Sequence, residues 1–285
     1  MSNPSSTAPV NSPTIITRDE HCISRKNISQ GCLKVLYTLN DAGYQAYIVG
    51  GAVRDLLLDK LPKDFDVATD ATPEQVKAEF RRARIIGRRF RIVHVTMGRE
   101  IIEVSTFRAA NTDSVEIQGE TLARSVKHIE SAHSNSGMIL RDNVYGTLEE
   151  DVVRRDFTIN ALYYTVRKFV VHDYVNGMAD LQARQLRMIG DPEQRYREDP
   201  VRILRAIRLS AKLGFSIEAK TAAPIQPLAE LLESIPSARL FDEILKLFFA
   251  GSSLVTFDLL HKYNVFKYLF PASATELEEN DTAEK

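Results

Sequence analysis

The sequence is poor in cysteine: Cys22 and Cys32 are its only two, and their positions match neither zinc-ligand nor redox spacing. Disulfide scaffolds and zinc modules are thereby excluded, and both side chains are expected to be thiols in a reducing compartment. Long apolar runs are missing too, none approaching the roughly 18 residues of a membrane span. The opening stretch MSNPSSTAPVNSPT has no apolar core of the signal-peptide kind. A soluble, cytoplasmic protein is expected. Neither Gly-x-x-x-x-Gly-Lys-Ser/Thr nor Gly-x-Gly-x-x-Gly occurs, which removes the P-loop and the dinucleotide fingerprint. Excess charge is also lacking: 37 Lys and Arg stand against 38 Asp and Glu, a formal net charge of −1. Any grip on a polyanion must then come from local clustering, because the summed charge offers none.

What is present is ordinary globular material, 44% hydrophobic over 285 residues, enough for a substantial core. Residues 1–20 read as a disordered tail rich in Ser, Pro, Asn and Thr. Apolar spacing predicts a helix over 34–43 ending at Gly43, then a strand over 44–49 running into Gly50-Gly51. A helix from Val53 to Leu58 stops before Pro62, and a short strand covers 65–68. Thr72-Pro73-Glu74 opens the next helix with a cap, a proline at its first position and an acid in its first turn. Strands over 90–97 and 100–107 are joined by a tight turn at Gly98-Arg99. Residues 109–143 are polar and weakly patterned, and are expected to form a flexible loop. A strand over 169–175 follows, and after about 192 the pattern is helical at 199–213, 220–233, 239–250 and 253–264. The expectation is an α+β molecule with a mixed sheet, divided near 190–200. The head covers 21–190, an all-helical region 191–275, and a frayed polar tail 276–285.

Asp64 and Asp66 carry the sharpest chemical signal. On a strand, side chains at i and i+2 share a face, and two carboxylates held that close repel unless a cation neutralises them. Mg²⁺ takes oxygen ligands, commonly one or two carboxylates plus substrate phosphates. Just upstream, Gly50 and Gly51 offer bare backbone to a phosphate and Arg54 offers a guanidinium. Glu103 lies on a strand whose alternation puts Ile101, Glu103 and Ser105 on one face and Ile102, Val104 and Thr106 on the other. It is expected to join the two aspartates as a metal ligand, the bland alternative being a solvent-facing glutamate on an edge strand. His94, inside a strand, reads as a packed residue rather than a ligand. Arg81, Arg82, Arg84, Arg88, Arg89 and Arg91 crowd six guanidinium groups into eleven residues, and a phosphate or RNA-backbone contact is expected there.

The stretch 50–58 (GGAVRDLLL) followed by DFD at 64–66 resembles the nucleotidyltransferase signature of bacterial poly(A) polymerases and tRNA CCA-adding enzymes. RRDFTINA at 154–161, GMADL at 177–181 and EDPVRILRAIR at 198–208 follow in the order that family uses, and IIGRRF at 85–90 resembles the segment marking its poly(A) polymerases. The resemblance implies a nucleotidyltransferase head with a helical nucleotide- and RNA-binding neck. It implies two Mg²⁺ ions (or Mn²⁺) at Asp64, Asp66 and Glu103, and ATP and RNA 3′ ends as substrates. It places Arg155 on phosphate, Asp156 near ribose or assisting the reaction, and Asn160 with them at the nucleotide. On the helix bearing Arg202, Arg205 and Arg208 at every third position, Asp199 and Arg202 would read the edge of the incoming base, with Arg205 also at the nucleotide. The implied activity is template-independent adenylyl transfer. CCA addition to tRNA is the near alternative, separated by use of CTP, and a non-catalytic RNA-binding protein is the distant one. Family members continue into more helices and a basic tail, so this sequence, ending acidic at Lys285, is expected to grip RNA weakly.

Overall fold

The computed structural model describes residues 12–87, 91–109, 131–133, 139–142 and 144–283. In chain order the elements are β1 (Thr14–Ile16), α1 (Gln30–Asp41), β2 (Ala46–Val49), α2 (Gly51–Leu57), β3 (Asp66–Thr69), α3 (Pro73–Glu79), β4 (Ala83–Ile86), β5 (Ile92–Met97) and β6 (Glu100–Thr106). They continue with β7 (Ser131–His133), β8 (Ile139–Asp142), α4 (Leu148–Arg154), β9 (Leu162–Thr165), β10 (Val170–Asp173), α5 (Gly177–Gln182), β11 (Gln185–Leu186), α6 (Pro192–Glu198), α7 (Val201–Leu213) and β12 (Ser216–Ile217). Further helices run over Ser237–Phe248, Ser253–Lys262, Phe266–Leu269 and Pro271–Ala283. Among the described residues, no helix is long and apolar enough to cross a membrane.

Eight strands form one mixed sheet in the order β1-β10-β9-β2-β3-β6-β5-β4, with β3 and β6 parallel and the other neighbours antiparallel. Its framing helices start where their sequences cap them. The Ser29 side chain accepts from the Cys32 N–H at the start of α1, and Thr72 and Gln75 close a reciprocal capping box on α3 behind Pro73. One sheet face is uniformly apolar: Ile48, Val67, Val104 and Val93 are no more than 1% exposed and lie side by side on β2, β3, β6 and β5. Tyr164 of β9 shares that face, and with Leu33 and Tyr37 of α1 it lines one cavity, which places α1 over that side.

The described residues fall into two compact units, the first running to Ser131 and resuming over Arg141–Ala179, the second running from Asp180 onward and including those within 132–140; β7 and β8 pair with each other as a separate two-stranded sheet. The expected change at 190–200 lies further along because residues 180–190 carry β11, which pairs with β12 rather than with the main sheet. The second unit is mainly helical, around buried Ile203, Leu204 and Ile207 of α7 together with Leu247 and Leu260.

Four expectations need correcting. Residues 14–16 are not tail but an edge strand: β1 pairs with β10 and buries Ile16, which an unpaired segment could not do. The helix expected over 220–233 is broken into Ala219–Ala222, Ile225–Leu228 and a tight 3₁₀ segment, because Pro224 and Pro227 cannot donate to a continuous helical ladder. The stretch expected to fray from 276 is helical to Ala283. Asp64 does not lie on the strand. β2 ends at Val49, which pairs with Asp66, and Gly50 then turns the chain into α2, so residue 64 has no partner on the β2 side and lies in the bend before β3. Most of the expected loop 109–143 lies outside the described residues.

Candidate active site

The opposite face of the sheet carries the chemistry. Ladder register sets Asp66 of β3 beside Glu103 of β6, and Glu103 beside His94 of β5. Partners in register project to one side, so two carboxylates and an imidazole form a row across three strands. β6 is interior to the sheet, which removes the edge-strand alternative for Glu103. Its alternation is as read from the sequence: Ile102, Val104 and Thr106 are buried while Glu103 is 52% exposed. Asp64, in the bend before β3, is also exposed. His94 is not packed in the core; its Nε2 lies 3.3 Å from Glu103 Oε1 on the open face.

The row is electrostatically tense. Asp66 keeps exposed surface as a residue, yet burial of its carboxyl is the largest influence and lifts it to about 6; the Glu103 carboxylate adds to it, Arg155 opposes, and Asp64 adds less. Among the described residues no three His, Cys, Asp or Glu side chains are grouped to hold an ion by themselves. The donor set nonetheless fits Mg²⁺: hard, solvent-open oxygens in mutual repulsion, with coordination left over for phosphate.

Two neighbouring devices frame the row. Gly50, between β2 and α2, has φ +71° and ψ −139°, a conformation open in practice only to glycine. A Cβ there would sit 3.8 Å from Arg155 Nη1 and 3.9 Å from Asp66 Oδ2, so the bare turn passes between a cation and an acid. Arg155 is aimed by two groups the sequence reading had not assigned. Its Nε donates to the Tyr163 hydroxyl at 2.6 Å and its Nη2 to Asp151 Oδ2 at 3.0 Å, while the Tyr163 hydroxyl donates to the same Asp151 oxygen at 2.6 Å. Asp151 also accepts from the Arg108 N–H at 3.2 Å. One signal for Asp151 was legible: it precedes Arg155 by four residues, the spacing at which helical side chains meet.

Arg54, expected on phosphate, is 3% exposed and already committed. Its Nε and Nη2 donate to Asp55 Oδ1 at 2.8 and 2.7 Å, and its Nη1 donates to Asn160 Oδ1 at 2.7 Å. Arg54 and Asn160 thus tie α2 to the short turn Thr158–Asn160, and their geometry is that of a strut. Asp156, 9% exposed, accepts from the Phe157 N–H at 2.8 Å. Gly177, first residue of the GMADL motif, allows α5 to touch that turn, since a Cβ there would lie 2.3 Å from the Thr158 carbonyl oxygen.

In the second unit Asp199 ends α6 and accepts from Arg239 Nη2 at 2.7 Å through Oδ2. Its Oδ1 is buried without a hydrogen-bond partner among the described residues. Arg202 is held through Nη1 by the Arg195 carbonyl at 2.7 Å and Glu198 Oε2 at 2.9 Å. Arg202, Arg205 and Arg208 share the half-buried side of α7 between fully buried apolar neighbours. Of the arginine cluster, Arg81, Arg82 and Arg84 are exposed, Arg91 pairs with Glu74, and Arg88 and Arg89 lie outside the described residues.

Comparison with known proteins agrees with this arrangement. The model described as "Poly A polymerase head domain" matches residues 46–187, and that described as "Probable RNA and SrmB- binding site of polymerase A" matches 214–277. The chain is 56% identical over 267 residues to poly(A) polymerase I of Salmonella typhi, covering 94% of this chain and 55% of that protein. It is 40% identical over 215 residues to a CCA-adding enzyme of Lactobacillus helveticus, covering 75% of this chain and 49% of that one. Among solved structures, the Bacillus stearothermophilus CCA-adding enzyme in complex with CTP superposes with a TM-score of 0.68 at 32% identity, over 84% of this chain and 53% of that one. The chain therefore spans about half the length of the curated relatives it matches. With the carboxylate row on its mixed sheet, the anchored Arg155 and the helical second unit all on the expected motifs, the chain belongs to the poly(A) polymerase family of nucleotidyltransferases.

Proposed function

We propose that this chain transfers AMP from ATP to RNA 3′ ends without a template. The single observation carrying the reading is the Asp66–Glu103 pair, set side by side on an open sheet face with Arg155 close to Asp66. Family membership supports the choice of reaction, and the higher identity to poly(A) polymerases than to CCA-adding enzymes supports ATP and general RNA over CTP and tRNA.

In the reaction the RNA 3′-oxygen attacks the α-phosphorus of ATP, the bond to the bridging oxygen breaks, pyrophosphate leaves, and the hydroxyl proton passes to water. Asp64, Asp66 and Glu103 would hold Mg²⁺, two ions in the full arrangement, with Mn²⁺ as a substitute. Bound there, the ions supply Lewis-acid stabilisation of the attacking and departing oxygens. Arg155 has its Nε and Nη2 anchored by Tyr163 and Asp151, which fixes where Nη1 points and suits it to orient a phosphate. Asp156 is assigned to the ribose. In the second unit, Asp199 as acceptor and Arg202 as donor are assigned to the base edge, with Arg205 on the same helix side.

The test is an extension assay with Mg²⁺, a labelled non-tRNA oligoribonucleotide and each nucleoside triphosphate separately, repeated with tRNA lacking its terminal CCA. A ladder with ATP alone on the general RNA is expected. Addition of C, C and A confined to tRNA would transfer the chain to CCA addition. Asp66→Asn is expected to lower the rate on the order of a hundredfold or more with an unchanged circular-dichroism spectrum; full turnover in that variant rejects the assignment of the site.

A further inference from the structure

Successive strand residues face opposite sides, so Tyr163 and Tyr164 of β9 separate two regions of the head. Tyr163 serves the carboxylate side. Tyr164 lines a cavity of about 860 Å³ on the other side, against α1 and the segment before it. That volume lies within the range of small-ligand sites.

The lining is of one electrical sign. Arg18, Arg25, Lys26 and Lys34 surround the cavity, and among the described residues no acid lines it. None of the four is ion-paired with a carboxylate among the described residues. The nearby acids are turned elsewhere: Asp19 and Glu20 both accept from the Thr17 hydroxyl, at 2.7 and 2.6 Å. In a chain of net charge −1, four uncompensated cations around one concavity form a local field that attracts an anion.

The walls are aromatic as well as cationic. Tyr37 is 38% exposed on α1, and Phe169 stands at the β9–β10 turn with φ +55°, a rare conformation for so bulky a residue. That conformation is held from two sides. His21 Nε2 lies 2.9 Å from the Phe169 carbonyl oxygen, and the Arg25 guanidinium sits 5.0 Å from the Phe169 ring centroid. Arg25 also reaches the Tyr37 hydroxyl at 3.4 Å. Flat rings beside fixed cations are the combination that nucleotides use, the base stacking and the phosphate pairing.

We infer that this cavity binds a nucleoside phosphate, its base against Tyr37 and Phe169 and its phosphate among Arg18, Arg25, Lys26 and Lys34. The ligand is a free nucleotide or one nucleotide of an RNA chain, which share this chemistry. It sits on the sheet face away from Asp66 and Glu103, so the site is separate from the proposed transfer reaction and does not depend on it.

The experiment compares the wild-type chain with Lys26→Glu/Lys34→Glu and with Tyr37→Leu, all changes at exposed positions. Calorimetry would measure ATP without RNA, and fluorescence anisotropy a labelled oligoadenylate at several salt concentrations, with inorganic triphosphate as competitor. If the ligand is RNA, the double variant loses at least tenfold in oligoadenylate affinity with a shallower salt dependence, and ATP stoichiometry does not change. If it is free nucleotide, the wild type binds one more ATP than the double variant. In either case Tyr37→Leu weakens binding, and the maximal transfer rate on saturating RNA is unaffected. Unchanged binding in the double variant overturns the inference. So does a loss that inorganic triphosphate reproduces in full while Tyr37→Leu has no effect, since that describes an anion patch alone. Because binding is the readout, a chain with no transferase activity would still answer the question.

Discussion

The Tyr163 hydroxyl accepts from Arg155 and donates to Asp151, and the ring is fully buried. A buried phenol needs such partners, and in a low-dielectric setting each bond polarises the next. Tyr163→Phe keeps the ring and leaves Arg155 and Asp151 paired with each other at 3.0 Å, so no charge is orphaned. It should cost about 1–2 kcal/mol in denaturant unfolding. Because Arg155 then has one anchor fewer, the KM for ATP should rise severalfold while the oligoadenylate affinity stays level. An unaltered KM would reduce Tyr163 to a packing residue. The same scale shows what was hidden in the chain. The guanidinium beside Gly50-Gly51 points in the sequence to a phosphate contact for Arg54, but its role is set by Asn160, a residue 106 positions away.

At the scale of elements, the junctions between strands and short helices hold the site together. α5 packs directly on the turn Thr158–Asn160, which in turn accepts Arg54 from α2. Gly177→Ala puts a methyl group 2.3 Å from a backbone oxygen that no rotamer change can move. The helix and the turn must then separate, at a cost of about 1–3 kcal/mol. Gly98→Ala is the control: it has positive φ at +66° but open space around it, so it should cost only the roughly 1–2 kcal/mol of a left-handed residue, with no steric clash added. Urea midpoints of the two variants should differ in that order, and only Gly177→Ala should also lower transfer. Equal midpoints would show that the close approach carries no stability. Element starts were readable because caps are local: Thr72-Pro73 and the Gly98-Arg99 turn are found where the sequence puts them. Element partners are not readable in the same way: β1 differs from a tail only through its pairing with β10, and Asp64 differs from a strand residue only through where β2 ends.

For the whole molecule, the division at Ala179/Asp180 gives each unit its own apolar core, the sheet face under α1 in one and the α7 neighbourhood in the other. Leu204 on α7 is completely buried. Leu204→Ala should remove about 2–5 kcal/mol, read as an earlier denaturant midpoint at unchanged slope and as faster hydrogen exchange throughout α7. A shift under half of that would mean the helical unit repacks around the gap. Charge also acts at this scale. With a net charge of −1, RNA attraction depends on where the cations cluster. The structure spreads them differently from the sequence: Arg91 is spent on Glu74, while Arg18, Arg25, Lys26 and Lys34, distant from that cluster in the chain, meet around one cavity.

The α+β class, the alternation that turns Glu103 outward, the acid pair near a glycine turn, the arginine face of α7 and the family are all legible in the order of the residues. All of these depend on neighbours within a few residues or on motif order, where backbone geometry alone decides which side chains share a face. It takes the folded sheet to put Asp66, Glu103 and His94 in one row, to leave Asp64 off the strand, and to aim Arg155 through Tyr163 and Asp151. It likewise takes the fold to close, with Tyr164, a separate cationic cavity behind the sheet. Those facts are matters of register and long-range partnership. A one-residue slip in the ladder would send every side chain of a strand to the other face, and only the assembled sheet selects among the possible slips.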